Sequence, residues 1–455
     1  MYDPLIETAV ASGNRYPDSY WASHSGNAPE NSGVLQQDIS TDVVVIGAGY
    51  TGLSCALHLA RDHKVSVTVV EANTSAWGCS GRNAGFILKS SGRKSYQQLA
   101  STYGEQTMRL IHQEMTAGVD LVKEMIALGI DCDAQSTGYL KLAHKPNKMA
   151  ELINLAKLQQ QMFGDEVEIL TACDVKRHYM NDHNAYGAIR YNDGFGINPL
   201  KLAWGYQTLA QQAGVKIYTS TPATEITTAG QSTANKGGGQ YGHKVVTPQG
   251  IVSADKVVIA TNGYTPKGFH SLVSERTLPV LSQIIVTEPL SEEQLAACNL
   301  LTNNVVMDTR ALKYYYRKLP DNRLLFGGRG AVTGKSADDP YYAQRLLQVL
   351  KSSFPPLATI DISYAWAGWI CMSYDDIPHI THNQTQTVFS AMGYCGSGVS
   401  FSAQAGKRLA QRVAEQDLPD IPIYQTPLAK FPFAPMRRLG QRAYFHYGLV
   451  KDRWF

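Results

Sequence analysis

Gly47-Ala48-Gly49-Tyr50-Thr51-Gly52 follows the apolar run Asp42-Val-Val-Val-Ile46 and heads a stretch of helical character, Thr51 to Arg61. A buried parallel strand closed by glycine and continued as a helix points to an α/β fold, and it is the context in which this spacing has a mechanical use. The first glycine makes the tight turn, the second lets a pyrophosphate approach the backbone, and the third lets helix and strand pack closely. Free amides at the helix N-terminus then meet the anion. Val65 to Val70 reads as the next strand, and Glu71 ends it, 19 residues beyond Gly52. A carboxylate there, with Ala72 beside it, accepts hydrogen bonds from both hydroxyls of an adenosine ribose and disfavours the 2′-phosphate of NADP. Strand, motif, helix, strand and acid in register predict a dinucleotide site.

Composition bounds what surrounds that site. With 455 residues, 44% hydrophobic and 17% charged, the chain can bury a sizeable core and suits two or three structural units. Its net charge of +3 is too small for a phosphate-backbone track, so no nucleic-acid partner is expected. Seven cysteines, scattered and without a C-x-x-C, argue against a disulfide framework or a zinc site and favour a reducing cytoplasm. Met1-Tyr2-Asp3-Pro4 lacks the start of an export signal, and the most apolar stretch, Val43 to Ala60, is interrupted by polar residues, so no membrane span is expected.

Residues 1–37 read as an arm over the body, ordered by Tyr20 and Trp21. Met108 to Leu128 carries an amphipathic stripe closed by Gly129, and further helices are predicted over Lys148 to Met162 and Pro199 to Ala213. Val215 to Tyr218, Lys244 to Thr247, Lys256 to Ala260 and Gln283 to Thr287 read as strands, Lys313 to Gly328 as a hairpin, and Val399 to Glu415 as a helix. Ala229 to His243, with three consecutive glycines, has the composition of a hairpin connection. His379 and His382 lack further ligands nearby, so no metal is expected. Asp375 and Asp376 are adjacent and point apart, so they are no acid–base pair. Arg437, Arg438, Arg442, Lys451 and Arg453 read as a solvated face.

Ser80-Gly81-Arg82-Asn83-Ala84-Gly85 resembles the segment that wraps the flavin in the superfamily of D-amino-acid, glycine and sarcosine oxidases. Ala260-Thr261-Asn262-Gly263, Trp366-Ala-Gly368 through Asp376-Ile-Pro378, and Gly393-Tyr-Cys-Gly396-Ser397-Gly398 match the same family in order, over about residues 40 to 416. Within it the chain is most similar to the γ-glutamylputrescine-oxidising branch, which shares a Tyr-rich arm and the I-G-A-G-Y-T-G-L fingerprint. The resemblance implies an FAD-binding domain of Rossmann type, discontinuous over 38–100, 196–270 and 360–416. It also implies a mixed-sheet substrate domain over 101–195 and 271–359, with a tail over 417–455. It places Gly81, Ala84 and Gly85 along the flavin ring, Arg82 as a nearby positive charge, and Ala223 beside the adenine. The helix opened by Gly396, Ser397, Gly398, Val399 and Ser400 would face the pyrimidine end, where negative charge appears on reduction.

The implied reaction is oxidation of the C–N bond of a small-molecule amine to an imine, by hydride transfer to flavin N5, with reoxidation by oxygen or a quinone. Arg82, Tyr316 and Arg317 are its candidate catalytic residues, the last two because the family builds its substrate cavity from this hairpin. Relatives that tether FAD through histidine carry it where this chain has Arg82, and an unreactive buried thiol is expected at Cys371, so FAD is expected to be non-covalent. The lysine that activates oxygen in sarcosine oxidases aligns near Phe326, where there is none. Glycine and D-amino-acid oxidases hold the substrate carboxylate with an arginine that aligns with Ile370; Arg317 or Arg329 could substitute for it. The competing readings are an α-amino-acid or sarcosine-type oxidase or dehydrogenase, and a flavin-dependent tRNA-modifying enzyme, whose basic face +3 does not supply.

Overall fold

The computed structural model describes residues 1–10, 12–90, 92–228 and 242–454. The glycine-rich part of the Ala229–His243 stretch lies outside them. Two large sheets organise the rest, a nucleotide sheet and a roof sheet, and together they make an α/β fold.

In the nucleotide sheet the strands run in the order His379–His382, Val388–Met392, Gly250–Ile259, Ile39–Ile46, Val67–Val70, Lys216–Tyr218. All neighbouring pairs are parallel except the first. Parallel pairing needs crossovers, and the motif helix Tyr50–His63 makes the one from Ile39–Ile46 to Val67–Val70. With helices on one face, and the strand His243–Thr247 and the loop residues Leu35 and Val273 on the other, the strand Val67–Val70 is buried throughout rather than alternating. Gly250–Ile259 is twice the expected length, since its first half also pairs with His243–Thr247 in a hairpin.

The roof sheet runs Ile362–Met372, Leu278–Thr287, Leu324–Arg329, Tyr315–Lys318, Val305–Asp308, Tyr139–Leu142, Ala188–Tyr191, Val167–Leu170. One parallel pair, Val305–Asp308 with Tyr139–Leu142, makes it mixed. Ile362–Met372 was expected among the nucleotide-binding segments; it instead pairs along nearly its whole length with Leu278–Thr287. The chain then turns into His379–His382 of the other sheet, so this strand is the seam between the halves.

Register decides what each face of the roof carries. Trp366, Ile284, Gly327, Tyr315, Met307 and Lys141 form one row across six strands, and side chains in register share a face. Trp366 and Ile284 join the core of the nucleotide half, so this face looks toward it. The opposite face, with Tyr316, Phe326, Val306 and Leu324, packs on the helix Pro340–Ser353. Tyr316 is therefore on the wrong side of the sheet for catalysis, its hydroxyl donating to Asp182 at 2.6 Å. Phe326 likewise faces away from the cleft.

The arm is tied down by Trp21, which is 2% exposed and donates from its indole to the Asn83 carbonyl at 2.9 Å. The tail forms a helix, Arg437–Trp454, which charge interleaving alone did not reveal. Two of its arginines depart from the expected solvated face: Arg437 donates to the Thr277 carbonyl, and Arg438 to the Pro279 carbonyl and Asp3. Among the described residues no helix is long and apolar enough to cross a membrane.

Candidate active site and cofactor cleft

A single long cleft runs between the sheets, walled by the motif loop, the end of the second strand, the Ser80–Gly85 segment and the glycine cluster before the helix Gly398–Val413. Sterics shape its floor. A Cβ on Gly52 would lie 1.9 Å from the Gly47 carbonyl oxygen, and Gly47 itself has φ +107°, open in practice only to glycine. Ala48 and Gly52 pack behind the loop, while Gly47, Gly49, Tyr50 and Thr51 line the cleft. The motif helix has no side-chain cap from its own N-cap, Gly49; Ser80 Oγ accepts from the Tyr50 amide at 3.0 Å instead. Its other first-turn amides remain available to an anion.

Glu71 and Ala72 line the same wall, with Ala223 across from them. The Glu71 carboxylate accepts from the Ala48 amide at 2.8 Å and the Asn73 amide at 3.1 Å. Burial pushes its pKa up, and these backbone donors pull the other way. Each oxygen keeps a lone pair for a ligand hydroxyl.

At the far end the helix Gly398–Val413 also opens without a side-chain cap, and Gly396, Gly398 and Val399 line the cleft. Two uncapped helix starts therefore share one cavity, joined by the 2.6 Å hydrogen bond between Thr51 Oγ1 and Tyr394 Oη. Thr261, Asn262 and Gly263 also line it, and Asn262 Oδ1 accepts from the Gly393 amide at 3.1 Å. Ser397 and Ser400 sit behind: Ser397 Oγ bonds Ser90 Oγ at 2.6 Å, and Ser400 Oγ donates to the Leu88 carbonyl at 2.8 Å.

In the wrapping segment Ser80 and Asn83 line the cleft, whereas Gly81, Ala84 and Gly85 pack against neighbouring backbone or side chains. Arg82 is 5% exposed and forms no ion pair among the described residues, so it is neither a surface bridge nor a cleft-lining charge. It donates to the Trp77 carbonyl at 2.8 Å and the Ala367 carbonyl at 3.1 Å, and packs against Gly368, strutting this segment to the seam strand. Arg317 is equally spent. Its guanidinium donates to the Ala84 carbonyl at 3.2 Å, to Gln135 Oε1 at 2.7 Å and to the Ile197 carbonyl. Each of its three nitrogens is held inside the protein, and the buried side chain does not line the cleft, so it is not placed to replace the missing carboxylate-binding arginine.

Ile370 and Cys371 line the cleft where the seam strand passes. Burial pushes the Cys371 thiol up to about 12. Sequence reasoning missed the arm residues Thr8, Ala9 and Val10, which also line it; they carry no motif. It missed Tyr315 too, which occupies the cleft-facing side of the hairpin, 5.8 Å ring to ring from Phe86. Away from the cleft, His379 bonds Asp375 at 2.9 Å and the Thr426 carbonyl at 3.0 Å, and Asp376 lies 3.8 Å from Arg93.

A cavity lined by two uncapped helix starts and by a buried carboxylate with lone pairs to spare fits a dinucleotide with an electron-accepting ring. Comparison with known proteins agrees. Residues 42–412 match the family model described as FAD dependent oxidoreductase, DAO. The chain is 32% identical to the γ-glutamylputrescine oxidoreductase of Escherichia coli (strain K12), over 92% of this chain and 96% of that protein. It is 31% identical to the probable oxidoreductase OrdL of Haemophilus influenzae, over 84% and 85% respectively. Its fold matches the crystal structure of glycine oxidase from Geobacillus kaustophilus with a TM-score of 0.67 at 20% identity, over 86% of this chain and 98% of that one. The chain belongs to the DAO family of FAD-dependent oxidoreductases.

Proposed function

We propose that this protein oxidises the C–N bond of an extended small-molecule amine, a γ-glutamylated or N-alkylated polyamine, to an imine that leaves and hydrolyses. The observation that carries the reading is Ile370, an apolar side chain on the cleft wall where small-amino-acid oxidases carry their carboxylate-binding arginine. An α-carboxylate next to the reacting carbon would be desolvated there without a partner. The resemblance to an enzyme named for γ-glutamylputrescine supports the same class of substrate.

Bound FAD supplies the two-electron acceptor for this chemistry. The chain supplies position and field. Amides of Gly49 and Thr51 would hold its pyrophosphate, Glu71 its ribose, and the backbone of Ala223 its adenine. Amides of Gly396, Gly398 and Val399 would meet negative charge on its ring. Arg82 and Arg317 act as positioning residues that fix the wrapping segment to the roof. Tyr315 and Ile370 face the substrate from the roof, and the amine enters neutral, so no side-chain base is required. Oxygen or a quinone takes the electrons onward. A cytoplasmic site of action accords with seven free cysteines.

Steady-state turnover of the holoenzyme, with peroxide and quinone-reduction assays in parallel, tests the reading. The best polyamine derivative should exceed glycine, sarcosine and D-alanine in kcat/KM. Faster turnover of any of those three than of every polyamine derivative would overturn it.

A further inference from the structure

We infer that Lys313, Lys141 and Arg329 form a carboxylate-receiving subsite on the cleft-facing side of the roof sheet, so that the substrate is an amine with an anionic carboxylate several bonds from its reacting carbon. The inference rests on the amine-oxidising reading and names what lies at the other end of the substrate.

The register brings the three together. Tyr315, Met307 and Lys141 stand in one row, and Tyr315 is paired with Gly327. Lys313 lies two residues before Tyr315, just ahead of its strand, and Arg329 lies two residues after Gly327; the charge of Arg329 acts on Lys313. Tyr315 touches Phe86 of the segment that follows Ser80–Gly85, and Arg329 stands 5.9 Å over the Phe445 ring of the tail helix. The subsite thus lies between the roof, the wrapping segment and the tail.

These cations lack what the neighbouring ones have. Arg310 pairs with Asp308, Arg93 with Asp376, and Lys89 with Asp165 and Asp193. Among the described residues no carboxylate pairs with Lys313, Lys141 or Arg329, and the buried Arg329 Nε has no hydrogen-bond partner. Lys313 is reached by water, yet burial and the charges of Lys141, Arg93 and Arg329 push its ammonium down to about 7. Burial also lowers Lys141, and with Arg93 it brings Arg329 down to about 10. These cations repel one another, and the nearby carboxylates of Asp308 and Glu151 offset this only in part without forming an ion pair with them, so a ligand carboxylate would relieve the repulsion; such groups gather at functional sites.

Position sets the length of the substrate. Arg329 lies two strands from the seam strand that carries Ile370, and Lys313 lies three, about 10–14 Å at ~4.8 Å per strand. Lys141 lies five strands away, so a carboxylate held between Lys313 and Lys141 sits several bonds from a carbon oxidised beside Ile370.

Calorimetric titration of the holoenzyme with glutarate and with its uncharged diamide tests the subsite without turnover. Glutarate should bind at least tenfold tighter than the diamide, Lys313→Gln and Lys141→Gln should each erase most of that difference, and Lys313→Arg should keep it. Glutarate affinity should fall between pH 6 and pH 9 as Lys313 loses its proton, and stay level in Lys313→Arg. The groups facing Lys313 are Lys141, Arg93, Arg329 and Asp308, with Glu151 beside Lys141 and Tyr315 and Tyr444 beside Arg329. In turnover, the kcat/KM ratio of γ-glutamylputrescine to N-acetylputrescine should drop at least tenfold in Lys313→Gln, with flavin content as the check on folding. Equal binding of glutarate and diamide, or wild-type glutarate affinity in both Gln variants, would overturn the subsite. Absence of any amine turnover with the calorimetric pattern intact would instead remove the amine reading and leave the subsite standing.

Discussion

Glu71 is the sole acid among the described residues lining the cleft, and its neighbours already use part of each oxygen. Replacing it by alanine removes a charged acceptor for the ribose, at about 1.5–3 kcal/mol, or roughly 10- to 150-fold in the dissociation constant for FAD. Flavin titration of the apoprotein measures this; unchanged affinity would remove Glu71 from the site. The cleft thiols make a second prediction at this scale. Burial holds Cys371 up to about 12 and Cys79 up to about 11, so neither supplies a thiolate at neutral pH. Acid precipitation should leave a colourless pellet and a yellow supernatant, and flavin retained on the polypeptide would contradict it. The glycine motif and Glu71 were legible in sequence because their chemistry lies within one βαβ unit. Alternation along a strand says that Tyr315 and Tyr316 face opposite ways, not which one faces the cleft. Only the pairing of Tyr315 with Gly327 and Met307 settles that.

At the scale of elements, the helix Glu105–Ala127 is locked to the helix Gly398–Val413 through one buried carboxylate. Glu114 accepts from Arg408, from Gln404 at 3.0 Å and from Tyr424 at 2.6 Å. Burial alone would raise its pKa, but bonds from Arg408, Tyr424 and Gln404 outweigh that and hold it below its usual 4.5. A carboxyl depressed in the folded state adds stability above its unfolded pKa, and that contribution is lost as pH falls through the lower folded value. Chemical denaturation should therefore show a stability loss on acidification below about 4.5 that Glu114→Gln lacks. That variant should also be less stable at neutral pH by about 3–5 kcal/mol, since Arg408 stays half-buried without its partner. A neutral-pH difference under 1 kcal/mol would sink the assignment. Most helices were legible as stripes or from their capping signals, among them Glu105–Ala127 and Pro199–Gln212. The tail helix was not, because its polar and apolar residues interleave, and what holds it are contacts such as Asp452 with the amides of Ala311 and Leu312.

For the whole molecule, the seam strand Ile362–Met372 couples the two sheets. It brings Ile370 into the cleft, while Arg329 lies two strands away in the same sheet and Lys313 just ahead of the next strand, Tyr315–Lys318. The nucleotide-binding half could be read from sequence because parallel strands, glycines and crossover helix form a local pattern. The roof could only be anticipated as a mixed sheet. Its order joins Tyr139–Leu142 to Val305–Asp308 across more than 160 residues, and no local signal reports such a pairing. The cationic subsite was invisible for the same reason, since Lys141 and Lys313 become neighbours only through that pairing. Central to the account is that the bound flavin is reduced by an extended amine in preference to a small amino acid. Anaerobic rapid mixing reads this directly, with no dependence on the electron acceptor. With the amines supplied in turn at equal concentration, γ-glutamylputrescine should bleach the visible flavin band faster than glycine, sarcosine or D-alanine. A band bleached faster by D-alanine or sarcosine, or untouched by every amine, would contradict it.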